Sequence, residues 1–199
     1  QGGALFLQYS TGNVLLANNI TDGNFGLVML LSTYNTLRNN IMSNNSRNFC
    51  ILKSDPLDPS MLILRRPEQV INDIDASNTV NGKPIYYWIG KHDKAIPLDA
   101  GCVVLVNCEN ITVQDLDLRN NLDGVFLLNS NGTLISRNVI AANSGTPWEN
   151  YCGGITVFFN SSNNIITQNN LISNEAGIDI EGAFWGASKW IGQGYNYTI

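Results

Sequence analysis

Charge is what this 199-residue chain has least of. Only 14% of its residues are Asp, Glu, Lys or Arg, against roughly 25% in ordinary soluble domains. Eleven Lys and Arg against sixteen Asp and Glu leave a net charge of −5. That balance excludes a nucleic-acid partner, because neutralising phosphates takes clustered positive charge. No apolar run exceeds about five residues, so no transmembrane segment is expected, since a helix needs about 20 to cross a bilayer. The first residues lack the basic, apolar, small-residue order of a secretory signal, and Gln1 reads as a processed N-terminus or a fragment boundary. A single histidine, His92, and three methionines are a poor ligand supply for copper. Cys50, Cys102, Cys108 and Cys152 have no C-x-x-C spacing, which argues against zinc. No metal and no cofactor are expected.

Asparagine fills the place of charge: there are 29, with 18 Gly. Both are poor helix formers, and their distribution is periodic. Gly3, Gly26, Gly101, Gly124, Gly154 and Gly177 each lead into an apolar stretch, as in Gly26-Leu-Val-Met-Leu-Leu31. Gly3 to Gly26, Gly101 to Gly124 and Gly154 to Gly177 are each 23 residues apart, and the step from Gly124 to Gly154 is 30. The longer step holds one turn plus a loop at 145–152. Within each unit a short apolar strand is followed by an Asn-rich corner and another strand, as in Asn163-Asn-Ile-Ile-Thr-Gln-Asn-Asn-Leu-Ile172. Units of this length without helical periodicity suit the coils of a right-handed parallel β-helix. Asn serves such corners because it tolerates left-handed backbone angles and can bond to the same amide one coil away.

At Ser77-Asn-Thr-Val-Asn-Gly-Lys-Pro-Ile-Tyr-Tyr87, and again at Asp99-Ala-Gly-Cys-Val-Val-Leu-Val-Asn-Cys-Glu-Asn-Ile-Thr-Val113, the chain resembles a known family. It is similar to the NosD-type right-handed parallel β-helix proteins, also described as carbohydrate-binding and sugar-hydrolase β-helices. The resemblance covers about residues 3–182. It implies the fold and an exported or cell-surface setting of the kind found in archaea, and it fixes no activity.

On this reading the chain is a single all-β domain of about seven coils. They lie at about 3–25, 26–47, 48–54, 101–123, 124–153, 154–176 and 177–182. Residues 55–99 form an inserted lobe, and 183–199 form a terminal cap or a truncated continuation. The first strand of each coil is apolar on both phases. With the glycines aligned, Leu27, Met29, Cys102, Val104, Val106, Val125 and Leu127 point inward. Val28, Leu30, Val103, Leu105, Phe126, Leu128 and Phe158 then form an outward apolar wall. A sheet that is apolar on both faces is buried on both. Its cover is either the 55–99 lobe, with Tyr86, Tyr87 and Trp88 lying over it, or a protein partner such as a second copy. The wall turns polar at Asp179 and Glu181, so the cover should end near the last coil.

Chemistry-bearing residues are few. Asp115 with Asp117, and Asp179 with Glu181, each set two acids on one strand face, as glycoside cleavage or cation binding would require. Polar outward positions are often acidic for no such reason, and Arg119 and Arg137 are natural partners for Asp115 and Asp117. Tyr86, Tyr87 and Trp88 could stack on sugar rings. Cys50 and Cys102 flank the insertion, and could either bond across its base or remain buried thiols. Sequons stand at Asn19, Asn44, Asn110, Asn131, Asn160 and Asn196, mostly at expected corners, where an exported chain can be glycosylated. The leading expectation is a non-enzymatic extracellular structural protein that self-associates, or joins other surface proteins, in a wall, sheath or surface-layer-like array. The alternatives are a carbohydrate-binding or polysaccharide-processing module and a NosD-like periplasmic accessory for metalloenzyme maturation.

Overall fold

The computed structural model describes residues 4–53, 64, 66–144, 153–181 and 188–193. The sequence coils into two successive stacks of short strands. In the first stack, β1 (Leu5–Gln8), β2 (Val14–Leu16) and β3 (Asn19–Thr21) make one turn. β4 (Phe25–Leu30), β5 (Thr36–Arg38) and β6 (Ile41–Ser43) make the second, and β7 (Arg47–Leu52), β8 (Asp73–Ile74) and β9 (Thr79–Val80) the third. Each strand pairs in parallel with its counterpart one turn on, with Leu5 beside Leu27 and Leu27 beside Phe49.

The second stack begins with β10 (Lys83–Ile89) and β11 (His92–Ala95). It continues with β12 (Cys102–Val106), β13 (Glu109–Gln114) and β14 (Asp117–Arg119), then β15 (Val125–Leu128), β16 (Leu134–Ser136) and β17 (Val139–Ala141). β18 (Gly153–Phe158), β19 (Ile165–Thr167) and β20 (Asn170–Ile172) follow. β21 (Ala176–Glu181) carries antiparallel β22 (Ser188–Gln193) on its far edge. Residues 73–95, assigned by the sequence to an inserted lobe, are therefore rungs: β8 and β9 complete the third turn, while β10 and β11 found the second stack. Of the tail, β22 lies across the last rung and the remainder falls outside the described residues.

Val80-Asn81-Gly82-Lys83 joins the stacks. Asn81 (φ 49°) and Gly82 (φ 78°) are both left-handed, the requirement of a two-residue hairpin turn and the reason Asn-Gly stands there. The turn pairs β9 antiparallel to β10. The third face of the first stack thus runs on into the first face of the second as one nine-stranded sheet, β22-β21-β18-β15-β12-β10-β9-β6-β3. Reversing the strand direction while keeping right-handed coiling puts the second stack on the opposite face of that sheet.

The packing follows this geometry. One face of the shared sheet carries Ile20, Met42 and Val80, then Ile85, Tyr87, Cys102, Val104, Val106, Phe126, Leu128 and Phe158; all belong to the first core, with Leu27, Met29, Leu37, Phe49 and Ile51. The other face carries Val103, Leu105, Val125, Leu127, Ile155 and Val157, which close the second core with Ile111, Val113, Leu118, Ile135 and Ile140.

The asparagines divide into two jobs held by neighbouring residues. One residue of each corner takes positive φ, as Asn39, Asn44, Asn120, Arg137 and Ala142 do. The next turns its amide inward: Asn40, Asn45, Asn121, Asn138 and Asn143 are buried. Asn40, Asn45, Asn138 and Asn143 each work in three directions, whereas Asn121 donates to the Gly101 and Arg119 carbonyls and its Oδ1 has no hydrogen-bond partner among the described residues. Asn138 Oδ1 accepts the Leu116 N–H at 3.0 Å, and its Nδ2 donates to the Val113 carbonyl at 3.0 Å and to Asn169 Oδ1 at 2.9 Å. The ladders Asn13–Asn35–Asn72, Asn18–Asn40–Asn78 and Asn121–Asn143–Asn174 repeat the arrangement. Strands of three residues leave many backbone groups at the corners without a sheet partner, and the ladders satisfy those groups where leaving them bare is costly.

Candidate functional site

The step between the two stacks leaves a re-entrant corner, and an open concavity lies there among the described residues. It is a groove of about 620 Å³ lined by Ser43, Asn44, Asn45, Ser46, Asn81 and Asn120. The first four come from the end of β6 and the corner after it, Asn81 from the hairpin turn, and Asn120 from the corner after β14. An adjoining recess of about 120 Å³ shares Asn81 and Asn120 and adds Val80, Lys83, Gly101, Asp117 and Arg119.

Backbone bonds hold the corner. The Asn44 N–H donates to Asn81 Oδ1 at 3.0 Å. The Asn81 N–H donates to the Met42 carbonyl at 2.8 Å, and the Asn48 N–H to the Asn120 carbonyl at 2.7 Å. Asn45 is a ladder residue, donating to the Ile20 carbonyl at 2.8 Å and to Asn48 Oδ1 at 3.0 Å. The side chains of Ser43, Asn44, Ser46 and Asn120 make no hydrogen bond among the described residues and line the groove with unspent donors and acceptors. In the recess, Asp117 accepts from Arg119 Nε at 2.5 Å, and Lys83 Nζ lies 3.8 Å from its other oxygen while donating to its backbone carbonyl at 2.9 Å.

The four candidate acids do not form a catalytic pair. Asp115 sits in a left-handed corner (φ 58°) rather than on the strand that carries Asp117. Both its oxygens accept from Arg137, each at 2.9 Å, and this bonding holds its carboxyl below the usual range. Asp117 is the only carboxylate among the described residues lining groove and recess. Asp179 and Glu181 do share a face of β21, but it is the face turned toward the first stack. Lys53, just past β7, reaches them at 3.1 and 3.2 Å and lies 5.4 Å over the Phe158 ring. Burial is the main cause that raises the Glu181 carboxyl to about 7; Lys53 lowers it and Asp179 raises it further.

The apolar wall is covered by the chain's own β7 and by Leu64 and Val70. Phe49, Ile51, Cys102, Val104, Asp123 and Phe126 enclose a void of only about 10 Å³, no larger than one water. The Tyr87 hydroxyl donates to the Val70 carbonyl, and its ring meets Phe49 edge-on at 6.4 Å. Phe126, Leu128 and Phe158 belong to this covered face, whereas Val103 and Leu105 point into the second core and Cys102, Val104 and Val106 point away from it. The glycine alignment equates Cys102 with Val125, but the ladder pairs Val103 with Val125, and a one-residue slip exchanges the faces of a strand. Val28 and Leu30 lie on the outer face of β4 and are buried with Cys50, Leu52 and Leu122. The cover does not end where the wall turns polar, because Lys53 meets Asp179 and Glu181 there.

The other candidates are also placed. Tyr86 and Trp88 are half-buried and packed edge to face at 6.1 Å, closing the lower end of the second core; the Tyr86 hydroxyl donates to Asp99 at 2.8 Å. Burial and that bond raise the Tyr86 phenol to about 12. With Tyr87 buried, the three aromatics form no open stacking platform. Cys50 and Cys102 are buried thiols in two different clusters and are not bonded to each other, so the expected Cys50–Cys102 staple is not formed; Cys108 is buried as well. His92 is exposed and bonded to Asp93 at 2.8 Å, and no group of three His, Cys, Asp or Glu converges among the described residues. No described helix is long and apolar enough to cross a membrane. Of the sequons, Asn19, Asn44, Asn110 and Asn160 are exposed, Asn131 is half-buried, and Asn196 lies outside the described residues.

Sequence reasoning missed the groove because its residues come from three separate corners. The available signal was Asn81-Gly82, whose two-residue reversal creates the step, and Asn44-Asn45 beside it.

The family model described as the right-handed β-helix region matches residues 1–185. No curated protein and no solved structure matches the chain.

Proposed function

The chain belongs to the right-handed β-helix family, and on that premise we propose that it is an exported, non-catalytic module that holds a neutral saccharide in the groove between its two stacks. The observation that carries this reading is the groove itself. Amides and hydroxyls with unspent hydrogen-bonding capacity line a concavity whose size lies within the roughly 300–1,000 Å³ of small-molecule sites, and its walls are fixed by ladders and a hairpin turn. Planar amides and hydroxyls match the alternating donors and acceptors of a polyol. Hydrolysis needs two carboxylates flanking one bond, and the described residues of groove and recess offer Asp117 alone, already engaged by Arg119. The surplus of amide over charge and the exposed sequons support an extracellular setting. Assembly through the apolar wall is set aside, because that wall is buried within a single chain.

The test is binding of the unglycosylated chain to an array of neutral and acidic polysaccharides. Binding to neutral glycans that falls at least tenfold in Asn120→Ala, with the fold unchanged by circular dichroism, supports the proposal. No binding at millimolar glycan across the array, or binding untouched by that substitution, overturns it.

A further inference from the structure

Asn44 is at once a wall of the groove and the acceptor of a sequon, Asn44-Asn45-Ser46. The other described sequons differ from it in what their amides do. Asn110 spends its amide nitrogen on Asp93 Oδ1 at 3.1 Å. Asn131 spends its oxygen on the N–H and hydroxyl of Ser162, both at 2.8 Å. Asn19, Asn44 and Asn160 are exposed, and their side chains make no hydrogen bond among the described residues. Of these three, Asn44 alone lines the groove.

Its backbone fixes where a modification would go. Asn44 has φ 55°, and its N–H is tied to Asn81 across the groove mouth. Its neighbour Asn45 is locked in the ladder by two further bonds. The Asn44 backbone is therefore held at the groove wall, which puts a substituent on its Nδ2 within reach of the groove. A first sugar on its Nδ2 would meet the hydroxyls of Ser43 and Ser46 and the amide of Asn120, the same groups proposed above to hold a free saccharide.

We propose that Asn44 is a glycosylation site whose glycan lies in the groove and closes it, so that glycosylation switches the site off. This rests on the saccharide-binding reading for its consequence, but the occupancy of the groove can be tested without any ligand. Ser43→Cys, made together with Cys152→Ala, places a thiol on the groove wall and leaves the sequon intact, while Cys50, Cys102 and Cys108 remain buried. The variant is secreted from an N-glycosylating eukaryotic host, its sites are mapped by glycopeptide mass spectrometry, and its labelling by a maleimide is timed. The comparators are the same variant made in a non-glycosylating host and the secreted variant that also carries Asn44→Gln.

Glycan at Asn44, with labelling of the introduced thiol slowed at least tenfold against both comparators, supports the proposal. An unoccupied Asn44 overturns it, and so does an occupied Asn44 with labelling as fast as in the Asn44→Gln comparator. Failure of the unglycosylated chain to bind any array glycan sinks the proposed function alone and leaves the labelling result standing.

Discussion

Lys53 ties the first stack to the last rung of the second, and its removal makes a quantitative forecast. Asp179 is buried and Glu181 partly so, and the two share one ammonium at 3.1 and 3.2 Å. The Glu181 carboxyl is raised from 4.5 to about 7, chiefly by burial. A raised folded value means that the folded chain holds the proton more tightly than the unfolded one. The stability from this group is therefore complete below about pH 4.5 and is lost as pH rises through 7. The span from 4.5 to about 7 is worth at most about 3 kcal/mol, and about 2 kcal/mol once solvent screening of a partly exposed carboxyl is allowed for. Urea unfolding followed by circular dichroism at pH 5, 6, 7 and 8 reads it directly. Wild type should lose about 2 kcal/mol from pH 5 to 8. Glu181→Gln, which keeps the shape and removes the ionisation, should be flat across that window and no less stable than wild type at pH 8. Lys53→Met leaves buried Asp179 and partly buried Glu181 without this counter-charge and should cost about 3–5 kcal/mol at pH 8, much of it recovered at pH 5. A Glu181→Gln variant that retains the wild-type slope would refute the assignment of the slope to this carboxyl. A Lys53→Met variant that costs under about 1 kcal/mol at pH 8 would refute the buried-pair argument.

Asn138→Ala orphans the Leu116 N–H and the Val113 carbonyl and should cost about 3 kcal/mol by chemical unfolding. Exposed Asn170→Ala should stay within about 0.5 kcal/mol, and equal losses at the two positions would remove the distinction between ladder and surface amides. Both faces of the shared sheet are cores, so Val103→Asp and Val104→Asp should each cost more than about 3 kcal/mol; tolerance at either one would mean that face is open to water. In native protein, maleimide should leave Cys50, Cys102 and Cys108 unlabelled by mass spectrometry until urea unfolds the chain, since burial raises the Cys102 and Cys108 thiols and the thiolate is the reactive form. Rapid native labelling of Cys102 would contradict the covered wall.

The solenoid was legible because its signal is local and repeated: Gly-led apolar strands, Asn-rich corners and a near-constant step are all contiguous in the chain. The wall was legible as a contradiction, since strands apolar on both phases cannot belong to a solitary coil with one wet face. What covers the wall was not legible, and the reason is Asn81-Gly82. One two-residue turn reverses the strand direction, and right-handed coiling then forces the second stack to the other side of the same sheet, so the outer face of one coil becomes the roof of the other's core. Periodicity carries no record of that reversal. The glycines misled in a related way. Gly101 and Gly124 are 23 residues apart, but the strands they precede pair 22 apart, Val103 with Val125. Gly124 is required where an added Cβ would press on the Ile140 side chain 2.7 Å away and on the Gly154 carbonyl, and Gly101 where it would press on Val80 and Lys83. Each glycine thus marks a local close approach rather than a fixed phase of the coil. The acids were misplaced for the same physical reason: Asp179 and Glu181 read as an outward pair, but outward from the second stack is inward to the first, and Lys53 was there to meet them.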